Sequence, residues 1–483
     1  MRKNSLFRIL GAGLLAFLVP AAAFAAVIQP DLDLTANWAG YASLVAFVLA
    51  YALVMAEEYT DLRKSKPVML AAGLIWAFIA VVYADHGIGK HAEHAVQENL
   101  EEYAELLLFL LTAMTYVNVM TERNVFEALR SWLIRKGFGY RKLFWITGTI
   151  AFFLSPMLDN LTTALVLCAV VLAVGADNPK FIGLACINIV VAANAGGAYS
   201  PFGDITTLMV WQAGVVKFGE FFDLFIPAAV NFVVPAAIMH FAIPKLAPRP
   251  SDEVIPLKRG AKRVIVLFGL TVATAVIFHK VLDMPPFLGM MMGLAYLQFF
   301  GYYLKRTHVP SPLAEQLESV EEEGVAGDIL AFDVFEYIAR VEWDTLMFFY
   351  GVILAVGGLG FIGYLSMTSQ VLYVHWNPTY ANTLIGVLSA IVDNIPIMAA
   401  VIHMNPDMSH GQWLLITLTA GVGGSLLSIG SAAGVALMGQ ARGRYTFMTH
   451  LKWTWAVALG YVGAILVHLW LNTSLFMEMG IGN

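Results

Sequence analysis

Residues 155–163 read Ser155-Pro156-Met157-Leu158-Asp159-Asn160-Leu161-Thr162-Thr163, in the middle of an apolar run that extends from 142 to 174. The run is longer than a helix needs to cross a hydrocarbon layer about 30 Å thick. Its centre nevertheless holds an ionisable Asp-Asn pair and a helix-disfavouring proline. It therefore reads as two short helices meeting at a polar tip, a re-entrant hairpin that enters and leaves by one face. A second stretch repeats the pattern, with Ser389, Asp393, Asn394 and Pro396 inside the apolar segment 380–404.

Composition agrees with a membrane setting. Of 483 residues, 59% are hydrophobic and 13% charged, against about 25% charged in an average soluble domain. The expected class is an all-α polytopic membrane protein. Besides the two hairpins, apolar segments lie at about 38–57, 67–84, 104–120, 181–218, 222–243, 263–281, 284–304, 343–364, 411–439 and 450–471. Cys168 and Cys186 sit inside apolar segments and read as small core residues. A net charge of -6, with no basic stripe, excludes nucleic acid as a partner. Residues 1–25 carry Arg2, Lys3 and Arg8, an apolar stretch, and Ala23-Phe24-Ala25. That is the pattern of a secretory signal peptide, with an uncleaved first helix as the alternative.

Lys and Arg concentrate in cytoplasmic loops, which tests the hairpin reading. With ten crossings, two non-crossing hairpins and an external N-terminus, only Lys90, Lys217 and Lys280 fall outside, while 22 of the 28 basic residues fall on or near the inner face. Converting one hairpin into a full crossing moves every later loop to the other side and destroys that asymmetry.

The same map contains an internal repeat. Ser155, Asp159 and Asn160 recur 234 residues later as Ser389, Asp393 and Asn394. Each hairpin is followed by a helix broken by glycines. Gly196-Gly197 and Gly203-Asp204 recur 227 residues later as Gly423-Gly424 and Gly430-Ser431. Before each hairpin stands an acid leading an apolar helix, Glu105 and then Asp344. Five crossings separate equivalent elements, so two inverted repeats are expected. The first spans 38–243, with hairpin 142–174 and broken helix 181–218. The second spans 263–472, with hairpin 380–404 and broken helix 411–439. A Pro-rich basic linker at 244–262 joins them in the cytoplasm. Inverted repeats whose broken helices meet near the midplane are how many secondary transporters build a substrate site with alternating access. A loop at about 305–340 carries Glu321, Glu322 and Glu323 and reads as a solvated acidic segment.

Ionisable groups in a membrane interior are costly and usually mark a pathway. Asp159, Asp204 and Asp393 qualify, with Glu105, Glu342 and Asp344 as weaker proton-coupling candidates at helix ends. The break from Gly196 to Thr207 offers freed carbonyls, the Asp204 carboxylate and the Thr206 and Thr207 hydroxyls, hard oxygen ligands suited to a small cation. Its counterpart offers Ser425, Ser428 and Ser431 without a carboxylate. Helix capping is the competing role for the hairpin aspartates, and a simple kink is the competing role for the break. Three carboxylates around one cavity repel an organic anion and favour a cation. A carboxylate out of water holds a proton more readily, so H⁺ and a cation would compete for one site. Competition plus alternating access suffices for exchange. His86, His91 and His94 are expected in the outer loop after the second crossing.

The motifs around Asp159, from Asn194 to Thr207, and around Asp393 resemble those of the NhaD-type sodium/proton antiporters of bacteria, within the ion transporter superfamily. The resemblance covers most of the chain after about residue 38. It implies extrusion of Na⁺ or Li⁺ in exchange for H⁺ across the bacterial inner membrane, for sodium and pH homeostasis and without a cofactor. It also implies a dimerising scaffold domain and a hairpin-bearing transport domain that moves as an elevator. Ion-binding roles transfer to Asp159, Asn160, Thr162, Thr163, Asn194, Asp204, Thr206 and Thr207 in the first repeat, and to Ser389, Asp393, Asn394, Ser428 and Ser431 in the second, with Na⁺ at Asp159, Asp204 and Asp393. Related dicarboxylate symporters carry Ser-Asn-Thr at both tips, which Asp159 and Asp393 replace here. An arsenite or organic-anion transporter on the same architecture is the alternative. An intramembrane aspartyl protease is disfavoured because its Gly-x-Gly-Asp motif is absent.

Overall fold

A computed structural model describes residues 32–60, 62–175, 178–246, 254–307 and 333–477. The expected signal peptide, the Glu321–Glu323 segment and the middle of the 244–262 linker lie outside these residues. All regular structure among the described residues is helical. In chain order the principal helices are α1 (Trp38–Met55), α2 (Ser65–Asp85), α3 (Gly89–Glu122), α4 (Val125–Arg135), α5 (Tyr140–Leu158), α6 (Asn160–Val174), α7 (Pro179–Gly197), α8 (Ile205–Gln212), α9 (Phe225–His240), α10 (Ala261–Val281), α11 (Pro286–Arg306), α12 (Trp343–Ile362), α13 (Pro378–Leu388), α14 (Asn394–Met404), α15 (His410–Gly423), α16 (Ala432–Ala441) and α17 (Thr454–Leu471).

Nine helical spans among the described residues are long and apolar enough to cross a membrane: α1, α2, α3, α7, Phe218–His240 (α9 with its preceding turn), α10, α11, α12 and α17. The apolar segment 411–439 is divided between α15 and α16, each too short to cross alone. The outer helices carry Leu49, Val48, Val266 and Leu466 with more than half their surface exposed. Apolar surface of that extent is unstable in water and ordinary against lipid.

The centre is occupied by α7 and α15. Every residue from Phe181 to Gly197, and every residue from Gly411 to Gly423, is buried. Such helices need no amphipathic stripe, because all sides face protein. Local sequence sets where they begin and end. Asn178 accepts from the Phe181 N–H at 3.1 Å, with Pro179 in the first helical position. Asp204 starts α8 by accepting from the Thr206 N–H at 3.1 Å. Ser431 starts α16 by accepting from the Gly434 N–H at 3.3 Å.

Each half packs a hairpin arm on its broken helix, α5 on α7 and α13 on α15. The contacts recur in register. The Ser155 hydroxyl donates to the Ala193 carbonyl at 2.7 Å, and the Ser389 hydroxyl to the Ala420 carbonyl at 2.9 Å. A Cβ at Gly196 would lie 2.3 Å from the Phe152 carbonyl oxygen, and one at Gly423 would lie 1.9 Å from that of Gly386. These pairs are related by the two sequence offsets already seen, 234 on the hairpin side and 227 on the broken-helix side. Around this centre, α2 packs on α1 and α12, α10 on α11, and α9 on α17.

One expectation is corrected. The helix anticipated from about 104 begins at Gly89, so His91 and His94 lie in its first turns instead of a loop. The acidic and polar residues before position 104 masked its start, because hydropathy detects only the apolar part of a helix. His91 contacts the rings of Tyr83 and Phe361, and His94 lies 3.5 Å from Glu98. The two cysteines are neighbours, with Sγ atoms 3.9 Å apart between α6 and α7, a proximity that their separate segments did not announce.

Gly423→Ala is expected to destabilise the folded protein by about 1–3 kcal/mol, the usual penalty of overpacking against fixed backbone. Gly439→Ala, where an added Cβ meets nothing within 4 Å, should be neutral or stabilising by up to about 1 kcal/mol, since alanine suits a helix better. Thermal unfolding of both variants in detergent, followed by size-exclusion chromatography, checks the contrast.

Candidate ion-binding site

Both Asp-Asn steps sit where a helix ends and another begins. Asp159 lies between α5 and α6, and its carboxylate accepts from the Thr162 N–H at 2.8 Å and from the Thr162 hydroxyl at 2.9 Å. It thus caps α6, while its backbone has φ 70° and ψ 159°. That region is almost reserved for glycine and costs a non-glycine residue on the order of 1–3 kcal/mol. A carboxylate kept there against the backbone preference is held for its side chain.

Asp393 occupies the equivalent place before α14 but caps nothing. Its Oδ1 is buried without a partner, and its Oδ2 lies 3.5 Å from Lys64 Nζ. The two aspartates, alike in sequence, therefore have different surroundings. One is locked by its own helix start, and the other faces a lysine 329 positions away.

Asp204 joins the two hairpins. Its Oδ2 accepts from Asn160 Nδ2 at 2.9 Å and from Asn394 Nδ2 at 3.1 Å, one amide from each tip. Asn160 Nδ2 also donates to Asn194 Oδ1 at 3.0 Å. Asn194 in turn donates to the hydroxyls of Ser425 at 2.8 Å and Ser431 at 3.0 Å. One hydrogen-bonded chain thus links both hairpin tips and both broken helices. Asn194, Asp204, Asn394, Ser425 and Ser431 in this chain are buried. Since a carboxylate can only accept, both amides must turn their N–H side to Asp204, and their carbonyl oxygens remain as neutral ligands.

Beside the chain lies a cavity of about 130 Å³, room for several waters or an ion with part of its shell. Asp159, Asn160, Thr162, Asp204, Asn394 and Glu342 contribute to its polar lining. Aromatic and aliphatic side chains, among them Phe109 and Phe202, make up much of the rest, which keeps the dielectric low and strengthens charge–oxygen attraction.

Other expected residues stand further off. The Thr207 hydroxyl donates to the carbonyls of Ser200 at 2.8 Å and Asp204 at 2.7 Å, and so braces the break. Thr206 supplies its backbone N–H to Asp204. Thr163 is buried with its hydroxyl unpartnered. Ser428 is buried outside the chain of hydrogen bonds, and the Ser389 hydroxyl is committed to Ala420. Glu342 accepts from the Thr345 hydroxyl at 3.1 Å at the cavity edge. Asp344 accepts from the Ser65 hydroxyl at 2.5 Å and is turned to α2. Glu105 is not brought to the site. It lines a separate cavity of about 330 Å³ with Glu98, Glu101 and Glu102.

Lys64 was not among the expected site residues. At the start of an apolar helix, between Arg63 and Lys66, it reads as one of several interfacial charges, and no local signal separates it from them. Ser425 was visible as a hydroxyl in the second break, but its pairing with Asn194 depends on the crossing of two remote helices.

Comparison with known proteins agrees with this architecture. A family model described as "Citrate transporter" (CitMHS) matches residues 42–421. The Na(+)/H(+) antiporter NhaD of Alkalimonas amylolytica is 59% identical over 471 residues, which is 96% of this chain and 97% of that protein. The Na(+)/H(+) antiporter NhaD of Vibrio cholerae is 59% identical over 450 residues, 92% of this chain and 94% of its own. Sodium/proton antiporter 1 of Arabidopsis thaliana is 31% identical over 444 residues, 89% of this chain and 72% of its own. By identity of this order over nearly its whole length, the chain belongs to the NhaD family within the ion transporter superfamily, and it is a multi-pass membrane transporter rather than an enzyme.

Proposed function

We propose that this protein exchanges cytoplasmic Na⁺, or Li⁺, for external H⁺ across the bacterial inner membrane by alternating access, and so serves sodium and pH homeostasis. The observation that carries the reading is the Asp204 carboxylate receiving Asn160 and Asn394, with Asp159 lining the same cavity; Asp393, expected as a third carboxylate around it, adjoins Asn394 but is not part of the lining. Carboxylate, hydroxyl and amide oxygens predominate there, the ligand set of a hard cation, and Lys64 is the basic side chain in the lining. The names of the similar bacterial and plant antiporters support Na⁺ and H⁺ as the ions.

The family model's description raises the organic-anion alternative. Against it, the cavity lining holds Asp159, Asp204 and Glu342 and one basic side chain, Lys64. A tricarboxylate would meet like charge at each of three positions.

The contacts that recur at offsets of 234 and 227 support two inverted five-crossing repeats. In that topology Lys64, which lines the cavity, belongs to a basic loop on the cytoplasmic side. The hairpins and broken helices would form the transport domain. The surrounding helices would form a scaffold that dimerises, as the family resemblance implies. Translation of the transport domain would then carry the site from one face to the other. Glu342, exposed and in the lining shared with Asp159, would pass protons between water and that carboxylate.

Proton movement in everted, respiring membrane vesicles tests the reading, with NaCl, LiCl and KCl added separately from neutral to strongly alkaline pH. Dequenching of an acridine dye by Na⁺ or Li⁺ that depends on this protein is expected. No response to any cation, with the protein present in the membrane, refutes it.

Asp159→Asn should abolish exchange at a cost of less than about 1 kcal/mol, because asparagine caps a helix as well as aspartate does. Asp159→Gly separates the roles further. It removes the carboxylate but relieves the positive-φ backbone, so a stability equal to or above wild type together with lost exchange is expected in a melting and transport comparison. Asp204→Ala removes the acceptor of the buried Asn394 amide and one of the two acceptors of the partly buried Asn160 amide, and should lower stability by about 1–3 kcal/mol in addition to abolishing exchange.

A further inference from the structure

Lys64 has no place in the exchange scheme above, yet it is the residue that meets the second hairpin's carboxylate. Its Nζ lies 3.5 Å from Asp393 Oδ2, with side-chain exposures of only 18% and 17%. The ammonium also sits 4.5 Å from the centre of the Phe348 ring, a cation–π distance. The backbone that aims it is fixed on both sides. The Lys64 N–H donates to Glu57 Oε1 at 3.3 Å, and the adjacent Ser65 hydroxyl is bonded to Asp344 on α12.

Asp393 is otherwise poorly served. Its Oδ1 is buried without a partner. Among its neighbours are Asp204, a like charge, and Tyr51 on α1, a neutral hydroxyl that is itself unpartnered. Among the described residues, Lys64 forms the one ion pair that Asp393 makes. A carboxylate with this little hydration needs a cation beside it.

The pair also links two elements that otherwise meet through a shared neighbour, α12. Helix α2 packs on α1, α3 and α12, whereas α14, which starts at the second tip, packs on α8, α12 and α15. The ion pair is a direct tie from the start of α2 to that tip.

We propose that Lys64 is a positioning residue, a tethered counter-cation that holds Asp393 while no transported ion is bound and is displaced when Na⁺ takes the same carboxylate. The proposal rests on the Na⁺/H⁺ reading above. Its consequence is coupling. The empty transport domain stays tied to α2, and a domain carrying Na⁺ is released, so movement without cargo is suppressed. Lys64 thereby also sets apparent Na⁺ affinity, because Na⁺ must compete with it.

The test uses the full-length protein in proteoliposomes. Two quantities are measured: the Na⁺ concentration that gives half-maximal proton movement, and proton leak under an imposed pH gradient without Na⁺. Lys64→Gln should lower the half-maximal Na⁺ concentration by about three- to tenfold, the range expected for losing one partly buried ion-pair competitor, and should raise the Na⁺-independent leak. Lys64→Arg should stay near wild type. Lys64→Cys guards against misfolding as the cause. Modified with 2-aminoethyl methanethiosulfonate, which restores an ammonium, it should return toward wild-type values, and with the neutral methyl reagent it should not. An unchanged or higher half-maximal Na⁺ concentration in folded Lys64→Gln, or equal effects of the two reagents, overturns the proposal. Absence of a Na⁺ response in the wild type overturns the functional reading itself, and this inference with it.

Discussion

The Asp204 carboxylate, bonded to one asparagine from each hairpin tip, is the contact on which the rest of the arrangement depends. Its three elements come from chain positions near 160, 204 and 394, and no two of them share a helix. A charged acceptor buried in an apolar surround is tolerable only while its donors remain in place. The carboxylate therefore fixes the distance between the tips and orients both amides. A cation beside this carboxylate would add to the stabilisation that the two amides supply.

The two central helices make that geometry possible. Helices α7 and α15 are buried along nearly their whole length, and glycines let the hairpin arms approach until backbone touches backbone at Gly196 and Gly423. Neither helix continues through its break. Ending them near the site frees backbone groups that the caps Asp204 and Ser431 then satisfy at the start of the next arm. Close packing and interruption are thus two parts of one arrangement. The first holds the broken helices rigidly against the hairpins, and the second turns polar groups toward the cavity.

Equivalence in sequence did not produce equivalence in environment. Asp159 is tied to Thr162 in a backbone conformation that glycine would favour, and it lines the cavity. Asp393 has one unpartnered oxygen and one remote lysine. The Asp-Asn step occurs twice, but among the described residues only Asp393 meets the start of α2. Two identical half-sites would respond identically to an ion, whereas these two carboxylates differ in their partners.

Much of the helical order was legible in the sequence, because lipid imposes a simple code. Long uncharged runs must be helical, and polar groups placed inside them must be there for a reason. The helix interruptions at Asp159 and Asp393 and the breaks after Gly197 and Gly424 followed from that code. The acidic start of α3 did not, since a helix that extends beyond the apolar layer loses the signal that revealed it. The amino-acid sequence by itself determined which residues carry charge or amide into the membrane interior, since their cost there marks each one. Tertiary structure alone decided their partners: Asn160 and Asn394 on Asp204, Asn194 on Ser425 and Ser431, and Lys64 on Asp393. Those pairings depend on how remote helices cross, and no local propensity or spacing contains that information.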